Sequence, residues 1–111
     1  MNWTPLTDLS QVDKIIEESA NRPILIFKHS SRCSISAVSL NRLERQWEVN
    51  NELKTYFLDL LAYRNISDAI SKRFQVDHQS PQVLIIQDGR CIHDASHFGI
   101  QYEDIKFAAV A

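Results

Sequence analysis

The first of the two cysteines in the sequence, Cys33, stands where a strand pattern gives way to a helical one. It opens the string Cys33-Ser34-Ile35-Ser36, the single-thiol relative of the C-x-x-C motif of disulfide-exchange proteins. A helix N-terminus presents unpaired N–H groups and the positive end of the helix dipole, and both favour a thiolate. The pattern therefore predicts a nucleophile that is active at neutral pH. A buried, inert cysteine is the alternative.

Charged and polar neighbours of Cys33 are candidates for tuning that thiolate. Lys28, His29 and Arg32 precede it closely and would add positive potential around it. Of these, His29 is predicted at the end of the strand, a position from which its ring would tune the thiol. Ser36 follows Cys33 by about one helical turn, and its hydroxyl would hydrogen-bond the thiolate. Because a hydroxyl cannot resolve a disulfide adduct, the motif favours chemistry by one thiol.

The second cysteine, Cys91, follows the turn signal Asp88-Gly89 and falls on a predicted edge strand, far in topology from Cys33. We predict that it is a packing residue. Because edge strands are exposed, a resolving or regulatory role is the alternative. The histidines lack zinc-like spacing with either cysteine, so no metal site is predicted. They are His29, His78, His93 and His97.

The spacing of apolar residues indicates the elements that must position these groups. Helical intervals occur in four segments: about 8–20, Cys33 to Trp47, Asn65 to Phe74, and from about Tyr102 onward. Runs of apolar, aromatic and β-branched residues predict strands at 24–27, 55–58 and 83–86. Asp88-Gly89 is a strong hairpin signal, and it pairs the last of these strands with residues 90–93.

The order of elements is therefore α-β-α-β-α-β-β-α. Strands separated by helices pair in parallel through right-handed crossovers, whereas the final hairpin adds an antiparallel strand. We predict an α/β protein with a thioredoxin-like fold, in which a mixed four-stranded sheet carries helices on both faces. The length of 111 residues fits one such domain over residues 1–111.

Within this fold, Pro81 is predicted to do more than begin a strand. It opens the third predicted strand, where a proline costs little. In thioredoxin-fold proteins a cis proline at this place lies beside the reactive cysteine, and the preceding residue presents backbone groups to a disulfide substrate. Most X–Pro bonds are trans, but joint occurrence with Cys33 at this topological position favours the cis form. Ser80 and Pro81 are therefore predicted to bind substrate.

Composition excludes several classes of partner. The net charge of −2, with acids and bases interspersed, gives no sign of a nucleic-acid or membrane partner. No secretory signal is visible at the N-terminus, and no apolar run approaches a membrane span. Two cysteines do not make a disulfide framework. We therefore expect a cytoplasmic protein. The sequence does not indicate the oligomeric state.

The stretch Phe27–Ser36 resembles the F-K-H-S-x-x-C-P-I-S stretch of the monothiol bacilliredoxins, the YtxJ-type general stress proteins. Tyr56–Asp59 and His78–Gln82 support the resemblance, which covers essentially the whole chain. The chain departs from the family at Arg32 and Ser34, where the family usually has threonine and proline. Loss of that proline adds an N–H group to the first helical turn and changes the surroundings of the cysteine.

The resemblance implies a thioredoxin-like fold, with Cys33 as the active-site cysteine and Pro81 as the cis proline. It also implies removal of low-molecular-weight thiols, bacillithiol above all, from S-thiolated client proteins. Arg32 and Ser34, which flank the cysteine, join Ser80 and Pro81 as expected substrate-binding residues. The small thiol is a co-substrate, and no bound cofactor is expected. A non-catalytic stress-associated binding module and a redox sensor are the alternatives.

Overall fold

The computed structural model describes residues 1–48 and 52–110. The strands in this part of the chain are β1 (Thr4–Pro5), β2 (Ile24–His29), β3 (Lys54–Asp59), β4 (Gln82–Gln87) and β5 (Arg90–Ser96). The helices are α1 (Ser10–Glu18), α2 (Ser34–Gln46), α3 (Arg64–Phe74) and α4 (Tyr102–Val110), with a 3-10 turn at His97–Gly99.

The strands form one mixed sheet in the order β1-β3-β2-β4-β5. Strands β1, β3 and β2 run parallel, β4 is antiparallel to β2, and β5 is antiparallel to β4. The predicted α/β fold is confirmed, but the predicted count of four strands is wrong. The additional strand, β1, consists of Thr4 and Pro5 beside Tyr56 and Phe57 of β3. Two residues, one of them a proline without an N–H group, are too few to show strand periodicity.

The sheet separates two apolar cores because successive side chains of a strand point to opposite faces. Ile24 and Ile26 of β2 pack with residues of α1 and α3, whereas Leu25 and Phe27 pack with residues of α2 and α4. All four β2 side chains are fully buried, and burial of each contributes about 1.5–3 kcal/mol. Strand β2 is therefore a rigid support at the centre of the molecule.

One end of this sheet collects the predicted site residues. Strand β2 ends at His29, and after a short turn α2 begins at Ser34. Strand β4 starts at the same end, because Gln82 is the sheet partner of Lys28. Pro81 therefore lies next to the point where β2 leads into α2. In the described part of the chain, no helix is long and apolar enough to cross a membrane.

Candidate active site

Cys33 occupies the N-cap position of α2, with an extended backbone at φ −111° and ψ 115°. Its carbonyl oxygen accepts the N–H groups of Ser36 at 3.1 Å and Ala37 at 3.3 Å, and its own N–H donates to the Ser30 carbonyl at 3.1 Å. The half-buried side chain makes no capping hydrogen bond. The first turn of α2 contains no acidic residue. The thiol therefore stands at the positive end of a helix with no carboxylate from that turn opposing it.

A hydrogen-bonded network behind Cys33 joins the end of β2 to the first turn of α2. The hydroxyl oxygen of Ser36, which is fully buried, lies 2.7 Å from Nδ1 of His29 and accepts the Ser30 N–H at 3.1 Å. The structure thus assigns this hydroxyl to the turn, rather than to the thiolate as the sequence predicted. The network fixes the backbone that carries Cys33.

His29 lies at the end of β2, as predicted from the sequence. Burial lowers the pKa of its imidazole, and the Asp59 carboxylate on β3 opposes that effect. The ring centroid lies 5.4 Å from that of Phe57. A neutral imidazole with Nδ1 beside a hydroxyl can accept the Ser36 O–H while that hydroxyl accepts from Ser30. His29 is therefore connected to Cys33 through the turn rather than as a positive charge.

Lys28 does not belong to this network, and its predicted role in adding positive potential beside Cys33 is wrong. Because side chains alternate along β2, Lys28 points to the α3 face, whereas His29 points to the α2 face. The Lys28 side chain is fully buried, and its ammonium contacts Ser67 and Ser71 of α3. The sheet separates that ammonium from the N-terminus of α2.

The Ser80–Pro81 peptide bond is cis, which confirms the sequence prediction. The Pro81 carbonyl accepts the N–H of His97 at 3.1 Å. The His97 carbonyl in turn accepts the hydroxyl of Ser39, on α2, at 3.3 Å. The buried hydroxyl oxygen of Ser80 has no hydrogen-bond partner within the described residues. The loop before β4 is therefore tied to α2 through the turn at His97, and it contains one buried hydroxyl without a partner.

Arg32 and Ser34 lie at the surface on either side of Cys33. Neither side chain has a hydrogen bond or ion pair to the described residues, so both are accessible to a bound partner. The two positions at which the chain departs from the resembled family are thus the two positions that border the thiol.

The sequence reasoning missed the turn His97–Gly99, which lies against both Pro81 and α2. Its central residue, Phe98, is 63% exposed, an unusual position for a large aromatic side chain. His97 adopts a positive φ of 55°. The only local signal was a glycine following an aromatic residue, which does not indicate what the turn packs against.

Cys91 lies on the edge strand β5, as predicted, and packs against the core under α1 and α3. Its Sγ donates to the His93 carbonyl at 3.3 Å, and burial raises the pKa of its thiol. A register irregularity places Cys91 opposite Ile86 and His93 opposite Ile85. Ile86 is four residues along β4 from Gln82, roughly 13 Å. Cys91 is therefore remote from the end of the sheet that carries Cys33.

Within the described residues, no group of histidine, cysteine and acidic side chains has an arrangement that would hold a metal ion.

The sheet order, the cysteine at the start of α2 and the cis proline beside it define a thioredoxin-fold protein. Three solved structures agree along nearly the whole chain. One, described as having a thioredoxin fold and ascribed an oxidoreductase role, is 28% identical, with a TM-score of 0.77 and coverage of 94% of this chain and 90% of that one.

Two thioredoxins show the same fold at lower identity. Spinach chloroplast thioredoxin f is 12% identical, with a TM-score of 0.73 and coverage of 98% of this chain and 84% of that one. Fasciola hepatica thioredoxin is 16% identical, with a TM-score of 0.70 and coverage of 96% and 95%.

The chain belongs to the monothiol bacilliredoxin family. The family model described as monothiol bacilliredoxin BrxC matches residues 4–105. This match confirms the resemblance seen in the sequence, and it assigns the protein a thiol-redox role.

Proposed function

We propose that the protein is a thiol–disulfide oxidoreductase that removes bacillithiol, or a similar small thiol, from S-thiolated client proteins through Cys33. The observation that supports the proposal is that Cys33 has no second cysteine within reach. Cys33 stands at a helix N-terminus with a serine, Ser36, where a C-x-x-C protein has its second cysteine. Cys91 is at the other end of the sheet. A mechanism that needs only one protein thiol fits this arrangement.

In the proposed reaction the Cys33 thiolate attacks the small-thiol sulfur of a client mixed disulfide. The Cys33–S–S–R bond forms as the client–S–S–R bond breaks, and the client leaves as a thiolate that takes up a proton. A second small thiol, as its thiolate, then attacks the adduct. This step releases the oxidised small-thiol disulfide and regenerates the Cys33 thiolate. Each step breaks one S–S bond and forms another, so the disulfide passes from the client to a pair of small thiols and no bound cofactor is needed.

The surrounding residues have distinct proposed roles. Ser80 and Pro81 hold the backbone of the client near the mixed disulfide, as the cis peptide bond between them at the start of β4 suggests. Arg32 and Ser34, which are exposed beside Cys33, contact the small thiol or the client. His29 and Ser36 position the turn that carries the cysteine. The cytoplasm, where small thiols are abundant and reduced, is the proposed compartment.

The test is transfer of a defined small thiol from a model client. The client is prepared as its mixed disulfide with bacillithiol, and matched samples carry cysteine or glutathione instead. We expect intact mass to show a reduced client and a bacillithiol adduct that peptide mapping locates on Cys33. A preference among the three thiols identifies the co-substrate. Absence of transfer from every client, with Cys33 inert to alkylation, would favour a non-catalytic binding module.

A further inference from the structure

Lys28 is a buried charged side chain that the proposed reaction does not use. It is fully buried on the apolar α3 face of β2. Its Nζ lies 3.2 Å from the Ser67 carbonyl oxygen, 3.1 Å from Oγ of Ser71 and 3.4 Å from Nδ1 of His78. An ammonium has three N–H donors, and these three acceptors match them. Burying an ion nevertheless costs free energy that an apolar residue here would avoid.

The third acceptor connects Lys28 to the loop before β4. His78 lies on the segment that leads from α3 to Pro81. Gln82, the sheet partner of Lys28, holds the same segment: its side-chain amide donates to the Asp77 carbonyl at 3.0 Å and accepts the Gln79 N–H at 3.4 Å. Lys28 and Gln82, which are sheet partners and both buried, therefore contact the same short loop before β4.

We propose that Lys28 is a positioning residue for the substrate site, whose ammonium holds the segment 77–81 through His78 and so sets where Ser80 and Pro81 lie relative to Cys33. The consequence for catalysis rests on the function proposed above. The role differs from tuning of the thiolate, because Lys28 acts on the loop and lies on the opposite face of the sheet from α2.

The protonation states at neutral pH suit this contact. Burial lowers the pKa of Lys28 to about 8, against the opposing effect of Asp68 on α3. The pKa of His78 is lowered by burial and by the positive charges of Lys28 and Arg64, and the Asp68 carboxylate opposes this shift. An ammonium therefore donates to a neutral imidazole at pH 7. Its neighbours on β3 and β4, Leu58 and Gln82, are uncharged. Above about pH 8 the amine loses a proton, and the hold on His78 weakens.

The decisive variant is Lys28→Met, which keeps an unbranched side chain and removes the charge. The three acceptors stay satisfied: the Ser67 carbonyl lies within α3, Ser71 is half-buried, and Nδ1 of His78 keeps the Ser67 hydroxyl at 3.3 Å. We expect thermal stability to be unchanged or higher, because no ion is buried. We expect kcat/KM for the client mixed disulfide to fall about tenfold. The matched control is Ile26→Met, on the same face of β2.

Three further measurements separate positioning from a structural role. His78→Ala should lose as much kcat/KM as Lys28→Met, and the double variant should lose no more. The wild-type kcat/KM should decline above about pH 8, and this decline should be absent from both single variants. In NMR titrations the amides of Gln79 and Ser80 should shift with a midpoint near pH 8 in the wild type only.

Several outcomes would overturn the inference. Wild-type kcat/KM in Lys28→Met would do so, as would a parallel loss of stability and activity. If the wild type transfers no thiol at all, the proposed function fails, but the NMR titration still reports on the loop. An absent titration in an active wild type would refute the positioning role alone.

Discussion

The two cysteines of this chain lie at opposite ends of the sheet and have different surroundings. Cys33 occupies the N-cap position of α2, beside a turn held by His29 and Ser36. Cys91 lies on an edge strand, packs against the core under α1 and α3, and has the pKa of its thiol raised by burial. Both side chains are half-buried, so the difference lies in what surrounds each sulfur. Cys33 has a helix N-terminus beside it, whereas Cys91 has the apolar core.

The largest difference is expected in turnover. Cys33→Ser should abolish transfer of the small thiol, because a serine hydroxyl does not attack a disulfide at neutral pH. Cys91→Ser should keep kcat/KM within about twofold of the wild type. The measurement is intact mass of client and protein over time. If Cys91→Ser accumulates a Cys33 adduct that the wild type clears, Cys91 is the resolving thiol and the one-thiol route is wrong.

A large effect is also expected from placing a second thiol where the first can reach it. In Ser36→Cys the new thiol lies one turn from Cys33, as in C-x-x-C proteins, and should expel the captured small thiol by closing an internal disulfide. Regeneration should then require a dithiol reductant. Loss of the buried Ser36 hydroxyl should lower stability by about 1–3 kcal/mol.

The matched control for that variant is Ser39→Cys, which introduces a buried thiol on the same helix but about two turns from Cys33. Its adduct should persist until a small thiol is added. If the Ser36→Cys adduct is equally persistent, the turn does not bring positions 33 and 36 within bridging distance, contrary to the hydrogen bonds described for it.

A smaller but direct contrast is expected in alkylation. In the single-cysteine variants Cys33→Ser and Cys91→Ser, iodoacetamide should label Cys33 about tenfold faster than Cys91 at pH 7. The ratio should shrink as pH rises, because the raised pKa of Cys91 leaves little thiolate until alkaline pH. Faster labelling of Cys91 at neutral pH would reverse the assignment of the reactive thiol.

The smallest expected effect is on stability. Here Cys91→Ser should cause the larger loss, whereas Cys33→Ser causes the larger loss of activity. Cys91→Ser places a hydroxyl against the apolar core under α1 and α3, and it should lower the free energy of unfolding by about 1 kcal/mol. Cys33→Ser should change it by less than about 0.5 kcal/mol, since serine is a good N-cap residue. Urea denaturation of both variants measures the difference. Equal losses would indicate that Cys33 is also a packing residue.

Local patterns were sufficient to predict the central features of the fold and site. The apolar run before Cys33, the helical spacing after it and the Asp88-Gly89 turn each give a signal within a few residues. They placed Cys33 at the start of α2 and Cys91 on an edge strand, and with fold knowledge they predicted the cis form of Pro81.

The remaining features depend on contacts that no local pattern reports. The Ser36 hydroxyl meets His29 because of the path of residues 30–33, and the His97 turn reaches Pro81 through tertiary packing. Lys28 was misplaced because a charged residue at a strand end is usually solvated. A signal for its burial was present, since it follows Ile24 and Ile26 at the two-residue period of one strand face.

The irregular register of β5 makes that strand tolerant of a length change at one position. Ile92 is the residue left without a partner between the pairs Cys91–Ile86 and His93–Ile85, and its side chain is 43% exposed. Its deletion would leave every other pair in place and every side chain on its present face. A deletion elsewhere within β5 would turn part of the strand over. A chain that lacks Ile92 would therefore keep the composition of both cores.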